Sequence, residues 1–350
     1  MEGDLDPSVV NYHNDGEWVA KDTSGEVPED AICAIGAGFQ DSLFVFKGAI
    51  ADMEYSNQVY ALDLNTWIWT KLSPRGMRPN CRIADIKPVV YKKRVYFFGG
   101  YEHLPLCSNS LQVFCYNIST ISWEWPDHQG HIPSERSGHS VVLIGDTVLL
   151  FGGETYSDGL GSKSQHLNDF YMLDMLNMIW SLVKTGNGKV PAPRSGHTLT
   201  PISQSAAVLV GGKDKLMGGL DDCWHIDIDK TGPNKELKLT WTQMSHIKYS
   251  GLWLHQAVLE PISQKLWIIG GVTVNFQQPI FSIDVLGLQK ISLNVVPLQA
   301  LALENAARNI STDYQRLLPH HFPEKLRRAV ERYRSNRERS VGPVTYPSNK

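Results

Sequence analysis

The chain has 350 residues, of which 42% are hydrophobic, and its 33 basic residues nearly balance its 36 acidic residues. A balance this close to neutral excludes the strong single-sign charge that is typical of proteins acting on nucleic acids or membrane surfaces. No window approaches the ~18 apolar residues of a membrane span, and the N-terminus MEGDLDPSVV does not resemble a signal peptide.

The cysteines are scattered and form no CxxC pair: they are Cys33, Cys81, Cys107, Cys115 and Cys223. An odd, dispersed set in a chain of this length favours reduced thiols over a disulfide framework, and it argues against structural zinc. We therefore expect a soluble protein of the cytoplasm and nucleus, with no cofactor, that binds neither nucleic acid nor membranes.

Two short strands are the first predicted elements, in VVNYHNDGEWVAKDTSGEVP, and the second of them contains Trp18. They match the last two strands of a four-stranded unit that recurs downstream. Strands corresponding to the first two of that unit are absent before them. We therefore expect this segment to be the outer half of an incomplete unit.

Downstream, a run of apolar residues ends in glycine repeatedly, at intervals of 52 to 59 residues. The endings are Phe46-Lys47-Gly48, Phe98-Gly99-Gly100, Phe151-Gly152-Gly153, Val210-Gly211-Gly212 and Ile269-Gly270-Gly271. An alternating, strand-like segment follows each of them: NQVYALDL, LQVFCYNI, NDFYMLDM, DDCWHIDI and FSIDVLG. The first four segments are followed by a strand led by tryptophan, at Trp69, Trp123, Trp180 and Trp241. Two units open with RSGH, at Arg136 and Arg194.

Each unit therefore predicts one antiparallel sheet of four short strands. Such a sheet cannot cover both of its faces alone, so neighbouring sheets must stack, and stacking around an axis leaves only short edges. The paired glycines suit a place where backbones approach closely, because no Cβ intrudes, and the tryptophans can bury large areas between sheets. The alternative is a β-sandwich in which the glycines recur by coincidence.

These repeats resemble those of the kelch family of β-propellers, and the likeness covers Trp18 to Leu293. The first glycine pair is degenerate, and Leu288 stands where the fifth unit should carry tryptophan. The resemblance implies an all-β kelch propeller over residues 8–293, with five full blades plus a half blade, related to six-bladed forms. Either the ring closes around the half blade or the chain is a shortened version of a six-bladed protein, and we favour the second.

The pattern becomes helical after Leu293. PLQALALENAARN starts at Pro297, which suits a first helical turn, and good helix formers follow. A second helix is predicted from Phe322 or Pro323 to about Arg332, with apolar residues on one side and basic residues on the other. We assign residues 294–334 to this helical tail and expect residues 335–350 to be disordered. The alternative is that both helices only pack against the propeller.

Two motifs of the tail resemble an elongin BC-binding box and a cullin-2 box. The matching residues are, in order along the chain, Leu298, Ala302 and Ala306 for the first box and Leu318, Pro319, Phe322 and Leu326 for the second. A second register of the first box, starting at Ser292-Leu293, would place Pro297 in mid-helix, where proline breaks a helix.

After a kelch propeller, this pair of boxes is similar to the tail of substrate receptors of cullin-2 RING ubiquitin ligases. The resemblance implies elongin B, elongin C and cullin-2 as partners. Leu298 would anchor the tail in a hydrophobic pocket of elongin C, and Leu318 with Pro319 would select the cullin.

Turns that lead into the RSGH strands and loops that follow the glycine pairs should gather at one mouth of the propeller. The candidate substrate-binding residues there are Arg136, Ser137, Arg194, Ser195, Lys213 and Trp253. Arginine or lysine beside serine hydroxyls could clamp a carboxylate. The alternative, which we favour for the repeated RSGH arginines and for the histidines His139 and His197, is a structural role within each repeat.

The best-known relatives that the resemblance brings in hold substrates ending in diglycine through arginines, a Ser-Trp pair and a lysine. Ser195 is kept in this chain. Glu154 stands where an arginine would be wanted, Gly196 replaces the tryptophan, and Asp85 lies near the place of the lysine. These differences put diglycine specificity in doubt while leaving a receptor role open.

No nucleophile elbow, HExxH motif or phosphate loop is present, so we expect no catalysis. The combined interpretation is a non-catalytic substrate-recognition subunit of a cullin-2 and elongin BC ubiquitin ligase, which binds a peptide degron of a protein substrate at the propeller mouth, with a C-terminal degron as one candidate. One alternative is a kelch scaffold or an effector of a GTPase or the cytoskeleton, with no ligase role. Another is a propeller oxidase, which would need bound copper.

Overall fold

The computed structural model describes a set of ranges between residues 9 and 292. They are 9–12, 18–28, 34–47, 58–77, 87–100, 111–156, 164–184, 188–216, 218–229, 237–244, 251–260, 265–275, 282–285 and 289–292. Within these ranges the regular elements are all β-strands. The predicted helices of residues 294–334 and the tail 335–350 lie outside the described residues and stay predictions.

The strands follow one another at short intervals. Those of the first half of the chain are β1 (Val9–Tyr12), β2 (Trp18–Lys21), β3 (Ser24–Gly25), β4 (Ile35–Phe39), β5 (Ser42–Phe46), β6 (Val59–Asp63), β7 (Ile68–Leu72), β8 (Val89–Tyr91), β9 (Arg94–Phe98), β10 (Val113–Asn117), β11 (Ser122–Glu124) and β12 (Gln129–Gly130). Those of the second half are β13 (Ser140–Ile144), β14 (Thr147–Tyr156), β15 (Ser164–Asp174), β16 (Ile179–Leu182), β17 (Thr198–Ser203), β18 (Ala206–Val210), β19 (Cys223–Asp229), β20 (Lys238–Gln243), β21 (Gln256–Glu260), β22 (Lys265–Ile269), β23 (Val272–Asn275), β24 (Ser282–Val285) and β25 (Gln289–Ser292).

Four successive sheets are antiparallel meanders of the predicted kind. Their strand orders are β4-β5-β6-β7, β8-β9-β10-β11, β13-β14-β15-β16 and β17-β18-β19-β20. In each sheet the glycine-ended strand is the second and the alternating strand is the third, as the repeat predicts. We call these sheets the first to fourth blades, and the sheet of β21, β22 and β25 the fifth.

The blades stack face to face through apolar side chains. Val142, Leu149 and Phe151 of the third blade share one buried cluster with Leu209 and Trp241 of the fourth, and equivalent clusters join the first blade to the second and the second to the third. The predicted role of the tryptophans is confirmed, since Trp69, Trp123, Trp180 and Trp241 are all buried. A large ring at the same place in each repeat thus removes both adjoining sheets from water.

Short segments between blades cover the outer strand edges. β3 pairs in parallel with β7, and β12 pairs in parallel with β16, which makes five-stranded sheets of the first and third blades. Gly25 and Gly130 end these segments with φ of 88° and 93°. A covered edge cannot pair with another chain, so this arrangement protects the blades from edge-to-edge association.

The variant Gly130→Ala tests this edge contact. An added Cβ at Gly130 would lie 2.3 Å from the backbone oxygen of Trp180. We expect the free energy of unfolding to fall by about 1–3 kcal/mol more than in Gly145→Ala. Gly145 has a similar positive φ of 61°, but an added Cβ meets nothing within 4 Å. Urea denaturation of both variants makes the measurement, and equal losses would show that the close approach is unimportant.

The structure corrects the predicted strands of the fifth blade. β22 pairs with β25 rather than with the FSIDVLG segment, whose strand β24 forms a hairpin with β23. The same extension exists in the third blade, where β14 continues past its glycine pair and residues 153–156 pair with residues 164–167. The alternating pattern of FSIDVLG therefore belongs to an extension beyond the glycines, and the third strand of the blade follows Leu288.

The N-terminal segment forms the predicted two-stranded half blade, in which β1 pairs with β2. Trp18 precedes Gly25 by the same number of residues that separates Trp123 from Gly130, which places β2 at the outer-strand position of the blade before the first. The face of the fifth blade that carries Val258 is exposed, in contrast to the equivalent face of the third blade. Val258 is 54% exposed, whereas Val142, at the same repeat position, is 3% exposed.

Candidate functional site

We call the first strand of each blade its inner strand. In the third to fifth blades, the turn before the inner strand is bridged by backbone hydrogen bonds to the residue that follows the glycine pair of the same blade. Ser137 and Glu154 exchange two backbone hydrogen bonds of 3.0 and 2.9 Å, and Ser195 and Lys213 do so at 3.1 and 2.9 Å. Trp253 and Val272 form the same bridge in the fifth blade. The predicted gathering of these turns and loops is thus present in three consecutive blades.

The glycine pairs make these bridges possible. Gly153 has a φ of 97°, and an added Cβ would lie 2.8 Å from Cβ of His139 on the inner strand. Gly152 instead faces the next blade, where an added Cβ would lie 3.0 Å from the backbone oxygen of Arg194. The prediction that the glycines mark close backbone approaches is confirmed, because each of the two glycines meets a different neighbour.

Five side chains from three blades form a polar cluster beside these bridges, which we call the mouth cluster: Glu154, His166, Ser195, Lys213 and Trp253. Nε2 of His166 lies 3.0 Å from Oγ of Ser195 and 3.6 Å from Oε2 of Glu154. Nζ of Lys213 lies 3.4 Å from Oε1 of Glu154 and 4.9 Å from the centre of the Trp253 ring. The predicted candidates Ser195, Lys213 and Trp253 are therefore brought together.

The mouth cluster holds an acceptor and a donor side by side, and most of it is buried: Ser195 is 0%, His166 8% and Glu154 9% exposed. Burial lowers the pKa of His166, although the carboxylate of Glu154 opposes this effect, so the imidazole is mainly neutral near pH 7. Nδ1 of His166 and Nε1 of Trp253 are buried and have no hydrogen-bond partner within the described ranges. The ion pair of Glu154 and Lys213 compensates both charges, so the cluster is not a cationic clamp for a carboxylate.

The two RSGH arginines do not line the mouth. Nη1 and Nη2 of Arg136 donate to the carboxylate of Asp169 at 2.5 and 3.0 Å, and those of Arg194 donate to Asp222 at 2.6 and 2.8 Å. Arg136 is 2% exposed and Arg194 is 0% exposed. These contacts correct the assignment of both residues as substrate-pocket candidates and support the structural alternative. Ser137 is also buried, and its backbone, rather than its side chain, forms the bridge to Glu154.

Sequence reasoning missed His166, Asp169 and Asp222 as partners. The repeat itself contains a signal for the aspartates. Asp169 and Asp222 each precede the third-strand residue that pairs with the last apolar residue before the glycine pair. The first and second units, which have no RSGH arginine, carry Gln58 and Gln112 at that place. Among these four units, aspartate therefore stands at this position only where the unit also has the RSGH arginine.

The remaining predicted site residues cannot be placed. Asp85 and all residues of the two boxes lie outside the described part of the chain. In the part that is described, no group of three or more His, Cys, Asp and Glu side chains is arranged to hold a metal ion. The described residues contain no helix that is long and apolar enough to span a membrane.

Comparison with known proteins identifies relatives for most of the chain. A profile of the KLHDC2/KLHL20/DRC7 Kelch-repeats domain matches residues 5–212 and 86–289. Kelch domain-containing protein 1 of Mus musculus is 28% identical over 284 residues, which cover 73% of this chain and 65% of the mouse protein. Kelch domain-containing protein 2 of Bos taurus is 26% identical over 315 residues, which cover 80% of this chain and 73% of the bovine protein.

The solved structure of YjhT is similar in fold. It matches with a TM-score of 0.53 and 17% identity, over 75% of this chain and 80% of that chain. An identity this low shows the fold alone. Together with the repeat profile, it confirms the all-β propeller that the repeats predict. The matched region spans 65% of the length of the mouse relative, so activities of that whole protein are not carried over by the match.

Proposed function

Because the chain belongs to the KLHDC2/KLHL20/DRC7 kelch-repeats family, we propose that it is a non-catalytic substrate-recognition subunit of a cullin-2 and elongin BC ubiquitin ligase. In this proposal the propeller mouth binds a peptide degron, and the tail binds the ligase. Elongin C would take Leu298, Ala302 and Ala306, and cullin-2 would take the second box, from Leu318 to Leu326.

The mouth cluster is the observation that carries the proposal of peptide binding. Its side chains come from three blades, and it combines a carboxylate, an ammonium group and an aromatic ring within one small area. A peptide backbone offers N–H donors and C=O acceptors in alternation, so a paired acceptor and donor suit it. The ring of Trp253 adds apolar contact area at low conformational cost. A few fixed polar groups beside an aromatic side chain are typical of a recognition site.

Affinity purification followed by mass spectrometry tests the ligase part. We expect the wild type to co-purify with elongin B, elongin C and cullin-2, and Leu298→Arg to reduce recovery of all three by about 30-fold, as for a truncated anchor residue. The matched control is Gln299→Arg, which adds the same charge at the next position of the predicted helix and should leave recovery unchanged. Unreduced recovery with Leu298→Arg would contradict the proposal and favour a scaffold without a ligase role.

The mouth variants Glu154→Gln and Lys213→Met separate the two halves of the proposal. Each should lose the wild-type substrates while keeping elongin and cullin, because the tail is unchanged. Proteins that are enriched by the wild type and by Leu298→Arg, but not by the mouth variants, are the expected substrates. If the mouth variants retain every captured protein, the mouth cluster is not the recognition site.

A further inference from the structure

A second polar group lies among the inner strands, away from the mouth cluster. The third, fourth and fifth blades each place one histidine just before the inner strand, namely His139, His197 and His255, and each is 1% exposed. Both ring nitrogens of His197 and Nδ1 of His255 are buried with no hydrogen-bond partner among the residues that the structure describes. Nε2 of His255 lies 3.0 Å from Oγ1 of Thr198, and the ring of His139 interacts with the backbone of Phe98 but makes no other hydrogen bond there. Buried polar atoms without partners are uncommon and costly, so this group calls for an explanation.

Lys87 extends this group into the second blade. The registers of β8 and β13 place Lys87 at the position that Ser140 holds in the third blade. The hydroxyl of Ser140 donates to the backbone oxygen of His197 at 2.7 Å. Nζ of Lys87 reaches the same oxygen at 3.3 Å. The ammonium group therefore lies beside the inner-strand histidines, across two blade boundaries from its own strand.

No carboxylate within the described ranges forms an ion pair with Lys87. Arg136 and Arg194, by contrast, form ion pairs with Asp169 and Asp222. Burial lowers the pKa of Lys87 to about 7. The part-exposed lysine therefore becomes charged as the pH falls through about 7, and the described inner strands supply no carboxylate to compensate that charge.

The histidines are neutral and keep N–H donors. Burial, with a further contribution from neighbouring positive charges, lowers the pKa of His139 and of His255 to about 3 and lowers that of His197 well below its usual range. A neutral imidazole has one N–H donor. The group thus combines an ammonium that has no carboxylate partner in the described ranges with buried imidazoles whose ring nitrogens are only partly hydrogen-bonded.

We infer that Lys87, His139, His197 and His255 form a binding site for a small inorganic anion of the chloride or phosphate type. The anion accepts hydrogen bonds from Nζ of Lys87 and from the imidazole N–H groups, and its charge compensates the lysine. Water would satisfy the imidazoles equally well, but it would leave the ammonium group without a counter-charge. A metal cation is disfavoured because the lysine repels it.

The test is thermal unfolding of the full chain in chloride and in phosphate, at an ionic strength held constant with sodium gluconate. We expect the Tm of the wild type to rise saturably with one of the two anions, by about 3 °C or more at ~100 times the Kd. Lys87→Met should abolish the rise. It should fold well, because it removes an uncompensated charge and keeps the length of the side chain. Lys93→Met, at an exposed lysine six residues further along the chain, should leave the rise intact.

Line broadening of the chloride NMR signal, or phosphate binding by calorimetry, gives a direct second readout. Broadening or heat that is present in the wild type and in Lys93→Met, but lost in Lys87→Met, supports the site. A Tm rise that is equal in all three proteins would reduce the effect to general salt stabilisation and overturn the inference. No saturable response to either anion in the wild type would overturn it as well.

Discussion

Arg194→Leu is expected to lower the free energy of unfolding by about 3–5 kcal/mol, because it leaves one partner of a buried ion pair without the other. The guanidinium group is fully buried, and it donates to the carboxylate of Asp222 and to the backbone oxygens of Gly211 and Ala192. Urea denaturation at pH 7 measures the loss. Although burial alone raises the pKa of Asp222, the hydrogen bonds and charge of Arg194 lower it overall. The loss should therefore shrink as the pH falls below ~4, where the carboxylate is protonated.

Two comparisons make this prediction specific. Arg94→Leu removes an arginine from a part-exposed pair with Glu124, whose atoms are 2.8 Å apart, and it should cost only about 0–1 kcal/mol. The double variant Arg194→Leu with Asp222→Asn should recover much of the stability. The fifth blade already places a fully buried Leu252 at the position of Arg194, so an apolar side chain fits there. Equal losses for Arg194→Leu and Arg94→Leu would contradict the structural role assigned to the buried pair.

Lys87→Met is expected to raise the free energy of unfolding by about 3–4 kcal/mol at pH 6 in gluconate buffer. Burial holds the pKa of Lys87 at about 7 in the folded protein, against 10.5 as its ordinary value. Between these values the unfolded chain binds more protons, so the stability of the wild type rises with pH. The charge of Lys87 destabilises the folded wild type fully below pH 7, and this destabilisation is lost by about pH 10.5. The advantage of the variant should decline over the same window.

Stability measured by urea denaturation from pH 6 to pH 10 makes this comparison. Lys93→Met, which removes an exposed lysine, should be neutral and should show no such window. If chloride or phosphate occupies the inner-strand site, adding it should stabilise the wild type and narrow its difference from Lys87→Met. A difference that stays constant across the whole pH range would show that the charge of Lys87 is not the cause.

Part of the mouth cluster could be predicted because the repeat places equivalent residues at equivalent turns. Ser195, Lys213 and Trp253 follow from the positions of RSGH and of the glycine pairs. Glu154 follows from the same positions, but the resemblance made it a departure from an arginine rather than a partner of Lys213. His166 could not be found in this way, because it lies on the extension of β15 beyond the glycines, which the repeat pattern does not contain.

The same extension explains the error in the fifth blade. An alternating apolar pattern indicates a strand, but it does not say which strand will be its neighbour. In the third blade β14 and β15 run on past the glycine pair as one long ladder, and in the fifth blade β23 and β24 form the corresponding hairpin. The pairing partner is decided by backbone hydrogen bonds between segments, which leave little trace in periodicity.

The sequence by itself determined the repeating unit, its strand order, the burial of its tryptophans and the half blade at the N-terminus. These features depend on local patterns, namely alternation, glycine placement and the spacing of large rings, and a sheet of such strands must stack to cover its faces. Only the tertiary structure decided what the charged residues do. It turned Arg136 and Arg194 inward to Asp169 and Asp222, and it set Lys87 beside histidines of other blades. Ion pairs and hydrogen bonds form only at separations of about 3–4 Å, and residues that are far apart in sequence come that close only when the blades have stacked.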